Sequence, residues 1–275
     1  MKGGNEKSDG RDSIYKQIDH IALAVYDIDQ AAAFFADVFQ LDLVMDLSYP
    51  PDGVHTNLVF SLGPQNELEL MAPLGKKGFL IDFLKRHGEG FHHLALEVTD
   101  IDQATRRLEK KGVRIFGKTE HMGMRFTFLH PSSTLRAGMQ LVQRKPQKLA
   151  INPMIKRLDH VAIVTNNPEI GRDFFLHKLG AKRIAIDRDE RFDCSCDRFI
   201  VGNSRFDLLY DFQNNSSGEV PGGIHHLALE VANLSESIRQ LKHFGIDPID
   251  GWSGSKSIFL HPDKMYGCLW ELSQS

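Results

Sequence analysis

Cysteine is scarce in this chain, with only Cys194, Cys196 and Cys268 among 275 residues. So few thiols, and an odd number of them, cannot build a disulfide framework, which points to a reducing compartment with the cytoplasm as the default. Cys194-Ser195-Cys196 lacks the two-residue gap of a redox or metal pair, and no matching pair stands elsewhere. Basic charge is not in excess either. Thirty-three Lys and Arg face 36 Asp and Glu, a net charge of −3, and no basic cluster is interleaved with aromatics, so nucleic acid is not an expected partner. Long apolar runs are missing as well. Met1 to Arg11 is Gly, Lys, Asn, Asp and Ser without an apolar stretch, which excludes a signal peptide or membrane span there and reads as part of a disordered tail over 1–15.

What the chain has in quantity is itself, repeated. His93-Leu94-Ala95-Leu96-Glu97-Val98 returns as His226-Leu227-Ala228-Leu229-Glu230-Val231, and looser copies begin at His20 and His160. The four histidines stand 73, 67 and 66 residues apart, a period too long for solenoid repeats and right for small modules. Each run is short, apolar and followed by Asp, Asn or Pro, the pattern of a buried strand ending in a turn. A helix is expected after each. Ala31, Phe35 and Val38 share one face of 29–40, Ile170, Phe174 and His177 one face of 169–179, and Leu234, Ile238 and Leu241 follow the last run. Asp100-Ile101-Asp102-Gln103-Ala104 repeats Asp27-Ile28-Asp29-Gln30-Ala31 letter for letter.

Four modules make two halves, 16–145 and 155–275, joined by a polar, proline-containing linker at 146–154. A short extra helix is expected between the first two modules, over 78–86. The second half restates the plan with less material and has a loop, Asn214 to Gly218, where the extra helix stood. Turn chemistry at Asp52-Gly53 separates two strands of the first module.

In a strand only alternate side chains share a face, so a histidine opening each apolar strand points into whatever the sheet encloses. The polar residues interrupting the later strands complete two sets: His20, Glu69, His93 and Gln140, then His160, Asp207, His226 and Glu271. Two imidazoles with two oxygen donors suit a six-coordinate divalent ion such as Mn, Fe, Co or Ni, with Zn as a further option, and leave two positions for substrate oxygens. Alternation sends the neighbouring His92 and His225 to the opposite face.

Gly88-Glu89-Gly90-Phe91-His92-His93, together with Met71-Ala72-Pro73-Leu74-Gly75 and Phe128-Leu129-His130-Pro131, resembles the vicinal oxygen chelate superfamily, and within it the methylmalonyl-CoA epimerases. The resemblance covers most of 16–145 and, more loosely, the second half. It implies an α+β fold of four βαβββ modules in two tandem domains with cupped mixed sheets, a divalent metal held by the eight residues above, and a small-molecule substrate with adjacent oxygens, a CoA thioester among the candidates. A monomer or homodimer without nucleic-acid or membrane partners is expected. The implied reaction is epimerisation by proton transfer alpha to a carbonyl, with Glu271 and Glu69 as proton carriers. Gln140 stands where the family has a glutamate and cannot take a proton, which tilts the expectation toward Glu271. The family's second acid falls near Pro51 and Asp52. For a CoA thioester, Lys76, Lys77, Lys85 and Arg86 could meet phosphates.

His160, His226 and Glu271 also match the 2-His-1-carboxylate set of nonhaem iron oxygenases. Two-domain extradiol dioxygenases and hydroxyphenylpyruvate dioxygenase share the four-module plan, but their Tyr-x-Asp-Pro-x-Gly signature is replaced here by Phe259-Leu260-His261-Pro262. A third possibility is a cupped binding protein that sequesters a small molecule without turnover.

Overall fold

The computed structural model describes residues 13–47, 55–146, 151–212, 222–249 and 256–275. Pro51, Asp52, the Asp52-Gly53 turn, the tail up to residue 12, part of the linker and the Asn214 to Gly218 loop lie outside the described residues. The first half runs β1 (Tyr15–Ala24), α1 (Ile28–Phe39), β2 (Leu43–Leu47), β3 (His55–Ser61), β4 (Glu67–Pro73), α2 (Phe79–His87), β5 (Gly90–Val98), α3 (Ile101–Lys110), β6 (Ile115–His121), β7 (Met124–Leu129) and β8 (Met139–Gln143). The second half follows with β9 (Ile155–Val164), α4 (Pro168–Asp173), β10 (Lys182–Asp189), β11 (Cys194–Val201), β12 (Ser204–Tyr210), β13 (Gly223–Val231), α5 (Leu234–His243), β14 (Ser257–Leu260) and β15 (Leu269–Ser273). No helix among the described residues is long and apolar enough to cross a membrane.

The repeated pentapeptide has a local reason. Asp27 and Asp100 are helix N-caps whose side chains accept from the backbone N–H of Gln30 and Gln103. Asn167 and Asn233 do the same for Ile170 and Glu236, so each strand-to-helix joint is closed by a short polar acceptor. α4 continues as a π-helical stretch over Phe174–Leu179, a widened turn on the element expected as one helix.

Each half is one mixed sheet with its histidine-led strands at the centre. The orders are β2-β3-β4-β1-β5-β8-β7-β6 and β10-β11-β12-β9-β13-β15-β14. β1 and β5 pair antiparallel, and each pairs parallel with the last strand of its own module, β4 and β8. The second sheet repeats this, except that its fourth module shows two closing strands among the described residues, with Pro248 bridging to Leu260.

One face of every central strand is core. Ile18, Ile21 and Leu23 are fully buried there with Leu94, Leu96, Val161, Ile163, Leu227 and Leu229. The core is continuous between the halves: Trp270 of β15 lies against Phe35, Phe39 and Phe91 of the first half at ring-centroid distances of 5.7, 5.8 and 6.0 Å. The other face forms the cup and carries the polar residues of the candidate sites.

Candidate metal centres

The cup of the first half gathers His20 from β1, Glu69 from β4, His93 from β5 and Gln140 from β8. Register explains the convergence, since Ala22 lies opposite both Glu69 and His93, and Ala95 opposite Gln140. The Nε2 atoms of His20 and His93 are 3.4 Å apart, and Glu69 Oε2 lies 3.6 Å from each. Asn57 Nδ2 holds the other carboxylate oxygen at 2.7 Å. The Gln140 amide nitrogen donates to both imidazoles, at 2.8 and 2.5 Å.

The outer ring nitrogens are held too. His20 Nδ1 bonds Asp19 Oδ1 at 2.8 Å, and His93 Nδ1 bonds His92 Nδ1 at 2.9 Å. These partners hold the Nδ1 protons and turn both Nε2 lone pairs inward, the tautomer a metal requires. Burial, with His92 and His20 adding to it, pushes the His93 pKa well below 6.5 and keeps that ring neutral. Burial also opposes protonation of His20, but Asp19 and the charge of Glu69 outweigh it and raise its pKa. Burial raises the Glu69 pKa. The site therefore demands positive charge at its centre, where two lone pairs, a carboxylate oxygen and an amide meet.

The second cup is built alike with one exchange. His160 and His226 present Nε2 atoms 3.3 Å apart, backed by Asp159 at 2.9 Å and His225 at 2.8 Å. Glu271 Oε2 is 3.8 and 3.7 Å from them, and its Oε1 accepts from Arg191 Nη1 at 2.6 Å. Asp207 Oδ2 lies 3.7 Å from His160 Nε2, but Arg205 Nε and Nη2 hold both of its oxygens at 2.8 Å each. Among the described residues three three-residue sets have ligand atoms within 4.8 Å of one another: His20, Glu69 and His93; His160, His226 and Glu271; and Asp19, His20 and Glu67, the last with both carboxylates already held by Arg144. The carboxylate comes from β4 in one half and from β15 in the other, so the two sets are inverted relative to the repeat.

Both sets fit a divalent ion. Two donors about 2.1 Å from one ion and at right angles stand about 3 Å apart, near the imidazole separations seen here. Glu271 Oε2 is buried without a hydrogen-bond partner, an oxygen left for a cation. In the first half the Gln140 NH₂ group occupies that role, and its Oε1 is the atom that would ligate.

His92 and His225 do not face away from their neighbours. β5 carries one extra residue between the pairs Ala22 with His93 and Leu23 with Phe91, and β13 likewise between Ile163 with Ile224 and Ala162 with His226. These bulges break the two-residue alternation and bring adjacent imidazoles into contact. A bulge at Asp19-His20, and another at Asp159, does the same on β1 and β9. Asp19 and Asp159 were not among the expected site residues, although the repeated Asp-His dipeptide was a readable signal. Nothing local marks Asn57, which reaches Glu69 from the neighbouring strand β3, or Arg191, which reaches Glu271 from the turn between β10 and β11; Arg205 stands two residues from Asp207 on β12.

Family profiles described as Glyoxalase/Bleomycin resistance protein/Dioxygenase superfamily match residues 19–128 and 157–271. The mitochondrial methylmalonyl-CoA epimerase of Bos taurus is 32% identical over 120 residues, covering 42% of this chain and 67% of that protein. The ethylmalonyl-CoA/methylmalonyl-CoA epimerase of Cereibacter sphaeroides is 32% identical over 134 residues, 44% of this chain and 99% of that protein. The chain thus spans about two thirds of the length of the Bos taurus relative. A mutant 4-hydroxymandelate synthase from Streptomyces coelicolor superposes over 94% of this chain and 92% of its own with a TM-score of 0.73. At 16% identity this is a likeness of fold alone.

Proposed function

This chain belongs to the glyoxalase/bleomycin resistance protein/dioxygenase superfamily through both of its halves, and from that premise we propose that it is a metal-dependent epimerase or isomerase. It moves a proton alpha to a carbonyl, on an acyl thioester of the methylmalonyl-CoA class. The observation that carries this reading is Glu69. One of its oxygens is fixed by Asn57, the other faces the imidazole pair, and burial raises its affinity for a proton. A carboxylate so placed can take a proton from carbon and return it. A bound divalent ion would supply Lewis acidity, drawing charge from two adjacent substrate oxygens.

The other residues of the first cup position and enclose. Asp19 and His92 set the imidazole tautomers, and Gln140, which has no proton-transfer capacity at neutral pH, holds the middle of the site. α2 buries Leu80 and Leu84 against Ala22, Ala24 and Met71 of the cup and excludes water beside the reacting carbon. The tilt of the sequence toward Glu271 passes to Glu69 because Glu271 is clamped by the Arg191 guanidinium, whereas Glu69 is held by a neutral amide. Lys76 and Lys77 before α2 and Lys85 and Arg86 in its last turn are exposed, open to thioester phosphates.

A second reading draws on the second half, where the buried Glu271 oxygen beside His160 and His226 is the donor set of an iron oxygenase. One experiment separates the two. Purified, metal-loaded protein given methylmalonyl-CoA in deuterated water should incorporate deuterium at the α-carbon without consuming oxygen. Oxygen uptake with a catechol or 4-hydroxyphenylpyruvate, and no exchange, would decide for the oxygenase. Neither exchange nor uptake would leave a binding protein.

A further inference from the structure

The two centres differ in what balances the charge of their carboxylates. Glu69 keeps its charge: the group on its Oε1 is the neutral amide of Asn57 at 2.7 Å, and among the described residues no Lys or Arg pairs with it. Arg144 lies behind the site, where its Nε reaches Asp19 Oδ2 at 2.8 Å and its Nη1 reaches Glu67 Oε2 at 2.9 Å. One guanidinium there serves two buried carboxylates, so the surroundings of His20 add negative charge to that of Glu69.

The second centre is balanced before any ion arrives. Arg191 Nη1 stands 2.6 Å from Glu271 Oε1, and the same guanidinium reaches Asp189 through Nη2 at 2.6 Å and Nε at 3.1 Å. Arg205 holds both oxygens of Asp207 and reaches Asp159 Oδ2 at 3.2 Å. Each carboxylate beside this centre thus has a cation on it.

Arg191 is also fixed where it stands. Its guanidinium carbon lies 4.9 Å from the ring centroid of Phe259 and 5.8 Å from that of Phe192, and both rings flank His226 at 5.5 Å. An ion on Glu271 Oε2 would therefore share its carboxylate with a guanidinium that stays on Oε1, and in a site this buried solvent screens the two charges little. Oε2 itself is buried without a hydrogen-bond partner, so the second centre is weakened and not shut.

We propose that the two centres load in order, the first half before the second, and that Arg191 is the residue that sets the gap. This order rests on both donor sets taking a divalent ion and is independent of the reaction carried out at Glu69.

Calorimetric titration of metal-free, full-length protein with Co²⁺ tests it. Wild type should take up two ions per chain, the first with a dissociation constant at least about tenfold below that of the second. His93→Ala should abolish the tight step and keep the weak one, and His226→Ala should do the reverse; neither touches Arg191. Arg191→Met, which keeps the length of the side chain and removes its charge, should tighten the second step at least about tenfold, whereas Arg191→Lys should leave it weak. Loss of an arginine with a merely structural role would loosen the ion instead. Equal affinities in wild type, loss of the tight step in His226→Ala, no tightening in Arg191→Met, or equal tightening in Arg191→Lys would each overturn the proposal while metal binding itself stands. No uptake of Co²⁺ would overturn both, and absence of deuterium exchange with ordered uptake would sink the epimerase reading alone.

Discussion

A carboxylate at each centre has one oxygen spoken for and one facing the imidazoles, and the group that holds the first oxygen sets what the second can do. Asn57 leaves Glu69 its full charge to share; Arg191 neutralises Glu271 in place. Replacing Glu69 by Gln should therefore keep an amide oxygen for the ion while lowering α-deuteration by the ~10²–10⁴-fold of a lost general base. Glu271→Gln should leave exchange unchanged; metal analysis beside exchange rates checks both, and equal losses in the two variants would show that the halves act together. Acid should loosen the metal-free fold through other residues. Burial pushes the pKa of His92 and His225 down to about 4, so below pH 6.5 the unfolded chain takes up protons that the folded chain refuses. Stability is then whole above about pH 6.5 and falls as pH drops toward 4, by up to about 1.4 kcal/mol per pH unit for each histidine. Urea midpoints between pH 7 and 4.5 measure it, and a flat profile would mean that both rings are hydrated in solution.

At the scale of elements, the bulges place two adjacent imidazoles on the cup side of one strand. A regular β5 would give His93 to the cup and His92 to the core; the extra residue puts both on the cup side and lets one orient the other. The backbone beside this bulge leaves no slack. A Cβ on Gly138 would stand 2.2 Å from the His92 carbonyl oxygen and 2.9 Å from the His93 Cβ. Gly138→Ala should thus displace His93 and lower the metal content of the first half, with Glu69→Gln as the comparison that keeps it; undiminished metal in Gly138→Ala would mean that β8 yields instead of β5. The helix α2 contributes at the same scale, since its Leu80 and Leu84 cover cup residues that would otherwise meet water. Leu84→Ala should cost about 2–5 kcal/mol, read by denaturant unfolding.

The halves are one body. Trp270 is fully buried among aromatic rings of the first half, Asn203 N–H donates to Lys16 O at 2.6 Å, and Ile18 N–H to Ser204 Oγ at 2.7 Å. Unfolding should therefore be a single calorimetric transition, and Trp270→Ala should lower it for the whole chain by the ~3–5 kcal/mol of a large core truncation. Two separate transitions in wild type would contradict a shared core. The repeat of a histidine-led run, the capped helices after it and the polar interruptions of the later strands were all legible, because each is a local pattern of period two, 3.6 or one module. They determine the two cupped sheets and the presence of His20, Glu69, His93, Gln140, His160, Asp207, His226 and Glu271 on the cup face. Which of those eight meet at a centre was decided only by the tertiary structure. Bulges depend on the register between strands 70 residues apart, and Glu271 acquires Arg191 from a turn 80 residues away in the chain. Those are facts of sheet pairing and long-range contact, fixed when distant segments pack and not carried by any one segment alone.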